Sequence, residues 1–364
     1  MNKKYSQVIK LYLSKNNLNR IRKIDPIPIH AQIKISENCN SKCITCNAWK
    51  NNNPDNNMSL EDYRNNIDQL KPLGLLTVVL TGGEPLLNPD LVEIAKYSKG
   101  KNIKVILSTN GLLLGEKYKE CIDYVDEIVV SIDGLENIND EIRGIKGYYN
   151  KSINALIKIR NEYPNKILKI ATTITNKNID DIGGLLELCR KHKIYWGLNL
   201  LDNSPYFFKD FKIRDLQDIK DINKINDFKK TLHYYKKKGI FRWSSASINT
   251  TIESLGNRKD ENIPCFIGFI WVHVDSKSNL YSGCWALPPM GNLKKKNIDE
   301  CIHSKEYKER IINMYQKKCP VCTCGFDTNC DIYHLNRLVL EKVSEKCSIF
   351  VRAKREGAGT EVSR

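Results

Sequence analysis

The chain has 364 residues, 41% of them hydrophobic, a length that allows one barrel-sized domain and a smaller one with a substantial core. No apolar run reaches the roughly 18 residues of a membrane-spanning helix, and Met1 to Lys10 leads into mixed Lys, Asn and Arg instead of a secretory apolar stretch, so the expectation is a cytoplasmic protein with no membrane partner. A formal net charge of +16 is scattered among Asn and Ile and reads as a solvated basic surface, not a nucleic-acid site, while 13 cysteines without an export signal argue against disulfides and for metal or cluster binding.

Residues 1–30 read as an extension ahead of the first element. From about Ala31 to Asp202 short apolar runs alternate with longer amphipathic stretches, the pattern of repeated strand-helix units. The runs are AQIKIS at 31–36, LLTVVL at 75–80, KVILS at 104–108, EIVVS at 127–131, ILKIATTI at 167–174 and IYWGLNL at 194–200. They predict six parallel strands joined by crossover helices. One such helix starts after Ser59, an N-cap residue followed by acidic residues that suit the positive helix end. The fold class is α/β, with a partial (β/α)6 barrel over 31–203. The charged segment Pro205 to Trp243 reads as helical and belongs to a connector over 204–264. A small cysteine-rich domain over 265–350 follows, and residues 351–364, small and polar, read as a disordered tail.

In a barrel of this kind the chemistry gathers where strands run into helices. The first four runs end in Glu37-Asn38-Cys39, Thr81-Gly82-Gly83-Glu84-Pro85, Ser108-Thr109-Asn110-Gly111 and Ser131-Ile132-Asp133-Gly134. Any one of these suits a structural turn, since Gly and Asn tolerate positive φ. Four in register argue for a site. Cys39-Asn-Ser-Lys-Cys43-Ile-Thr-Cys46 then puts three thiolates on one tight loop. Three ligands on a four-iron cluster leave one iron open, whereas a zinc knuckle uses similar residues; the position after a first strand favours the cluster. In Gly82-Gly83-Glu84-Pro85 the glycines let the backbone approach a ligand, and the carboxylate suits an ammonium group.

The Cys39, Cys43, Cys46 spacing, followed by Gly-Gly-Glu-Pro at the second strand, resembles the radical S-adenosylmethionine (SAM) superfamily. The resemblance implies that a 4Fe-4S cluster on the three cysteines binds S-adenosyl-L-methionine through its open iron and cleaves it to a 5'-deoxyadenosyl radical, which takes a hydrogen atom from an unactivated carbon. It also implies a reducing electron donor such as flavodoxin or ferredoxin. Glu84 would neighbour the methionine amine, and Ser108, Asn110 and Ser131 would face the ribose and carboxylate region. Arg143 would pair with the cofactor carboxylate, a partner that suits a planar guanidinium, with a surface arginine as the equal alternative. Thr45 stands where many family members carry an aromatic residue, which leaves Trp49 as a candidate to pack on adenine.

Cys265, Cys284, Cys319, Cys322, Cys324, Cys330 and Cys347 populate the last third of the chain, with Cys301 set apart. Asn279, five residues before Cys284, reads as a left-handed turn residue in place of a glycine. The order resembles the SPASM extension of radical enzymes and its shorter twitch relative, and implies one or two auxiliary 4Fe-4S clusters. The spacing of the compact group departs from that pattern, so two divisions stand. Either Cys265, Cys284 and Cys330 hold one cluster and Cys319, Cys322, Cys324 and Cys347 another, or a single cluster uses Cys265, Cys284, Cys319 and Cys322. A structural zinc site around Cys319 to Cys330 is a third reading. Cys121, Cys189 and Cys301 read as ordinary buried thiols.

The expected activity is hydrogen abstraction from a peptide or protein side chain, in the manner of a maturase. The alternative is a small molecule such as a sugar, aminocyclitol or nucleotide, which the enzyme would dehydrogenate, epimerise or rearrange. Against a ribosomal peptide stands the short region before the first strand, too small for a separate leader-binding domain. The reading from another class is a non-catalytic zinc or nucleic-acid-binding module, whose protein would be colourless where an iron-sulfur protein is brown.

Overall fold

The computed structural model describes residues 3–201, 216, 219–241, 243–256, 263–319 and 326–336. Each expected run forms a strand: β1 (His30–Ser36), β2 (Thr77–Gly82), β3 (Lys104–Thr109), β4 (Glu127–Ser131), β5 (Ile167–Ile174) and β6 (Tyr195–Leu200). Each pairs in parallel with the next. Helices Leu60–Leu73, Leu91–Gly100, Leu114–Cys121, Tyr148–Glu162 and Ile182–Lys191 make the crossovers. Ser59 caps the first of them, its Oγ accepting the Asp62 N–H at 3.1 Å, and Gly74 ends it with a φ of 114°.

Period-two alternation decides which side chains meet the helices. Ile33, Leu80, Leu107, Val130 and Ile170 have no exposed surface and join the core with helix residues such as Ile67, Ile94 and Leu156. Each such side chain contributes about 1.5–3 kcal/mol of burial. The residues between them, including Gln32, Lys34, Thr81, Ser108, Ser131, Lys169 and Thr173, lie half-buried on the other, open face.

Three more strands, beyond the six expected, extend the sheet past β1. β7 (Trp271–Val274) lies parallel to β1, and β8 (Asn279–Tyr281) and β9 (Gly291–Asn292) follow antiparallel. The order is β6-β5-β4-β3-β2-β1-β7-β8-β9, so β6 and β9 are edges and the barrel is partial. The left-handed residue of the β7–β8 turn is Ser278, with a φ of 64°, and not the expected Asn279. Asp275 explains the shift: it accepts the N–H groups of Lys277 and Asn279 and the Asn279 side chain at 2.9–3.0 Å, which holds Asn279 as the first residue of β8.

Ahead of the sheet, helices Lys3–Ser14 and Leu18–Ile21 are tied to the approach of β7 through Ile27 N–H, which donates to Phe269 O at 2.9 Å. Helices Ile222–Lys237 and Ser245–Gly256 follow β6. Cys322, Cys324, Cys347 and the tail 351–364 lie outside the described residues. No described helix is long and apolar enough to cross a membrane.

Candidate functional site

The loop that leaves β1 carries Cys39, Cys43 and Cys46, and main-chain bonds hold it from two sides. Toward β2, Gly83 N–H donates to Ser36 O at 2.8 Å and Glu84 N–H to Asn38 O at 2.7 Å. A Cβ on Gly82, whose φ is 143°, would stand 1.8 Å from Ser36 O, and one on Gly83 would stand 2.3 Å from Asn38 O. The close approach these glycines permit is thus to the chain's own cysteine loop, where the sequence suggests a ligand. On the other side the N–H groups of Lys42 and Ile44 donate to Arg143 O and Ile142 O at 3.3 and 2.9 Å, and Ser41 Oγ donates to Arg143 O at 2.9 Å. These carbonyls end the helix Glu136–Arg143, where the chain turns through Gly144 with a φ of 71°.

Each of the three sulfurs faces a donor. Cys39 Sγ accepts from Asn110 Nδ2 at 3.9 Å and Cys46 Sγ from Ala48 N–H at 3.4 Å. Cys43 Sγ lies 3.2 Å from Ser41 Oγ and accepts from Arg143 Nη1 at 3.9 Å. Donors so placed orient thiolate ligands and tune the potential of an iron-sulfur cluster. Burial pushes the Cys39 thiol up to about 12 and raises the Cys46 thiol as well, so cation binding here must release protons. Among the described residues no three His, Cys, Asp or Glu side chains stand as they would around one metal ion. Three thiols on one loop are the donors that a four-iron cluster with one open iron would take, and Cys39, Cys43 and Cys46 fit it in their chemistry.

Glu84 has no exposed surface. Its Oε1 accepts from Thr109 Oγ1 at 2.6 Å and Leu86 N–H at 3.0 Å, and its Oε2 from Asn110 N–H at 2.7 Å. Burial raises the carboxyl to about 7 against the opposing pull of these donors. Asn110 also donates to Asn40 Oδ1 at 2.6 Å, so the end of β3 is joined to both Glu84 and the cysteine loop. Arg143 Nε is ion-paired with the buried Asp133 Oδ2 at 2.7 Å, and Asp133 Oδ1 accepts the Thr173 N–H at 2.7 Å. The end of β4 thereby aims the arginine at Cys43. Ser108 and Ser131 lie half-buried on the open face, their hydroxyls without a hydrogen bond among the described residues. Trp49 donates its Nε1 to Cys43 O at 3.2 Å.

Other side chains build the frame without standing out in the sequence. Asn52 brackets Cys39, accepting its N–H and donating to its O, both at 2.9 Å. The chain's general richness in asparagine hides Asn52, whereas Thr109 and Asp133 stand in plain view in the third and fourth rim segments.

In the cysteine-rich segment, Phe266 N–H donates to Asn329 Oδ1 at 2.7 Å, which sets the neighbours of Cys265 and Cys330 against each other. Gly283, with a φ of 75°, brings the turn carrying Cys284 onto the stretch that follows Cys265, since a Cβ there would stand 2.6 Å from Ile267 Cγ2 and 2.8 Å from Trp271 O. Cys284 and Cys330 are buried, and Cys265 and Cys319 half-buried. Cys121, Cys189 and Cys301 sit within the hydrophobic core.

Residues 33–189 match the Radical SAM superfamily. Fe-coproporphyrin III synthase of Methanosarcina barkeri is 33% identical over 166 residues, covering 44% of this chain and 40% of that protein, so the chain spans less than half of that relative's length. Protein MJ0907 of Methanocaldococcus jannaschii is 33% identical over 221 residues, covering 58% of this chain and 73% of that protein. Among solved structures, Streptococcus suis SuiB bound to precursor peptide SuiA shares the fold with a TM-score of 0.62 at 18% identity, over 89% of this chain and 74% of that chain. The chain belongs to the radical SAM superfamily.

Proposed function

We propose that this chain is a radical SAM enzyme in which Cys39, Cys43 and Cys46 hold a 4Fe-4S cluster and S-adenosyl-L-methionine binds beside it, along Gly82, Gly83, Glu84, Asn110 and Arg143. When bound, cluster and cofactor together supply a one-electron cleavage that yields a carbon radical able to take a hydrogen atom from an unactivated carbon. The observation that carries this reading is the cysteine loop itself: three thiols, each facing a donor, on a loop held by both β2 and the helix Glu136–Arg143. Glu84 keeps lone-pair capacity on Oε2, and an arriving ammonium group would favour its ionised form. Asp133 holds Arg143 ready for a carboxylate, while Ser108 and Ser131 are left to the ribose side. A small reducing protein such as flavodoxin or ferredoxin supplies the electron.

For the substrate we favour a peptide or protein side chain, a reading supported by the fold shared with SuiB, which is bound to a peptide. The relationship to Fe-coproporphyrin III synthase favours a small molecule as the second reading. To the cysteine-rich segment we assign one or two auxiliary clusters, with Cys265, Cys284 and Cys330 as one ligand set. The contacts of Phe266 with Asn329, and of Gly283 with Ile267 and Trp271, support that grouping. The test is anaerobic reconstitution with iron and sulfide, reduction with dithionite, and assay of 5'-deoxyadenosine formed from S-adenosyl-L-methionine. Product is expected; an iron-loaded protein that forms none overturns the reading.

A further inference from the structure

Charged side chains are few on the open face of the sheet. Lys34 is paired with Glu37 at 3.2 Å and lies over the Trp285 ring at 4.6 Å. Glu127, at the start of β4, is paired with Lys104 at 2.7 Å. Lys169, on β5, is half-buried, and its side chain has neither ion pair nor hydrogen bond among the described residues.

Its direction is set by a glycine on the neighbouring strand. Lys169 stands in register with Tyr195 of β6, yet a Cβ on Gly197 would fall 2.2 Å from its Cε and 2.7 Å from its Nζ. Two residues along a strand span about 6–7 Å. The side chain therefore climbs toward the carboxyl rim and crosses β6 at the one layer where β6 carries no side chain. Its ammonium reaches the layer of Ala171, which is in register with Ser131, the last residue of β4. It also leads away from Glu127, which is in register with Ile167 at the start of β5. Taking an ammonium part-way out of water without a counter-charge is unfavourable, and a ligand that brings an anion to this layer relieves the cost.

We propose that Lys169 is the recognition point for an anionic group of the substrate, a carboxylate or a phosphate, and that Gly197 is the opening that aims it. The inference rests on reading the open face as the substrate chamber of a radical SAM enzyme. A lysine is a compact point charge that suits either oxyanion, and the chain's net charge of +16 favours the approach of an anion.

The reconstituted protein with S-adenosyl-L-methionine is treated anaerobically with limiting acetic anhydride, and acetylation of Lys169 is read by peptide mass spectrometry. Succinate, inorganic phosphate and neutral glycerol are compared as protecting ligands. At saturation at least one anion is expected to slow acetylation of Lys169 roughly ten-fold, as formation of a partly desolvated charge pair implies, while glycerol does not and the exposed Lys230 is unaffected. Protection by succinate marks a carboxylate site and protection by phosphate a phosphate site. In Gly197→Ala the new methyl displaces the ammonium while keeping its charge, and protection is expected to fall to the glycerol level; thermal unfolding checks that this variant folds. Absence of protection by both anions in the wild-type protein overturns the inference whatever the variant does, and full protection in folded Gly197→Ala overturns the role of the glycine. Formation of 5'-deoxyadenosine by the same wild-type preparation is measured in parallel, so failure of the radical reading is seen separately from failure at Lys169.

Discussion

Three donors, from Thr109, Leu86 and Asn110, converge on the carboxylate of Glu84, and the same residue's N–H donates to the cysteine loop. Glu84→Ala leaves those buried donors without an acceptor and is expected to destabilise the iron-free protein by about 3 kcal/mol or more, at roughly 1–3 kcal/mol for each orphaned group. Glu84→Gln should lose less, because an amide oxygen can still accept from Thr109 and Leu86 while its NH2 faces the Asn110 N–H. Both variants should bind S-adenosyl-L-methionine more weakly; calorimetry on the reconstituted protein checks this, and unchanged affinity in both removes Glu84 from the cofactor site. The titration has a definite sign. The Glu84 carboxyl is raised from an ordinary value of 4.5 to about 7 in the fold, so the folded state holds its proton over that window. Stability from this group is complete below about 4.5 and is lost as pH rises through about 7. Thermal unfolding at several pH values should show Glu84→Gln flattening this part of the wild-type profile; an unchanged profile contradicts the raised carboxyl.

At the scale of elements, the Gly82-Gly83 turn is where β2 meets the cysteine loop. Gly82→Ala and Gly83→Ala, with a methyl driven against Ser36 O or Asn38 O, should lower iron incorporation at Cys39, Cys43 and Cys46, read as iron per chain and as 5'-deoxyadenosine output. Gly115→Ala is the control: its nearest neighbour would be Ala155 Cβ at 3.6 Å, and inside the helix Leu114–Cys121 the change should stabilise by about 0.5–1 kcal/mol. Equal iron loading in all three variants would remove the turn from the construction of the site. The six parallel strands are legible in the sequence because one face of each is mainly apolar, with Thr109 and Thr172 the polar members of that face on β3 and β5, which marks the run to within a residue or two. β7, β8 and β9, of 4, 3 and 2 residues, are too short to show a period, and β7 is placed by pairing with β1, distant in sequence. The cysteine triplet and the Gly-Gly-Glu-Pro segment can be read as motifs. The crossing of Lys169 over Gly197 cannot, because it depends on strand register, and neither can the pairing of Asp133 with Arg143, because it depends on how the helix Glu136–Arg143 folds back on the end of β4.

For the molecule as a whole, both cysteine groups belong to one continuous sheet, since β7 of the cysteine-rich segment pairs directly with β1, the strand that feeds the Cys39 loop. Replacing Cys39, Cys43 and Cys46 together by Ala should therefore leave the sheet and the second group standing. The reconstituted variant should hold about four fewer iron atoms per chain while remaining brown. Complete loss of iron would mean that the second group binds none. The central claim, that the cluster on Cys39, Cys43 and Cys46 is the one that meets S-adenosyl-L-methionine, is tested most directly by electron paramagnetic resonance of the dithionite-reduced protein with and without the cofactor. The wild-type spectrum should contain a cluster signal that changes when S-adenosyl-L-methionine is added, and the triple Ala variant should lack it; a cofactor-responsive signal that survives in the triple variant would contradict the account.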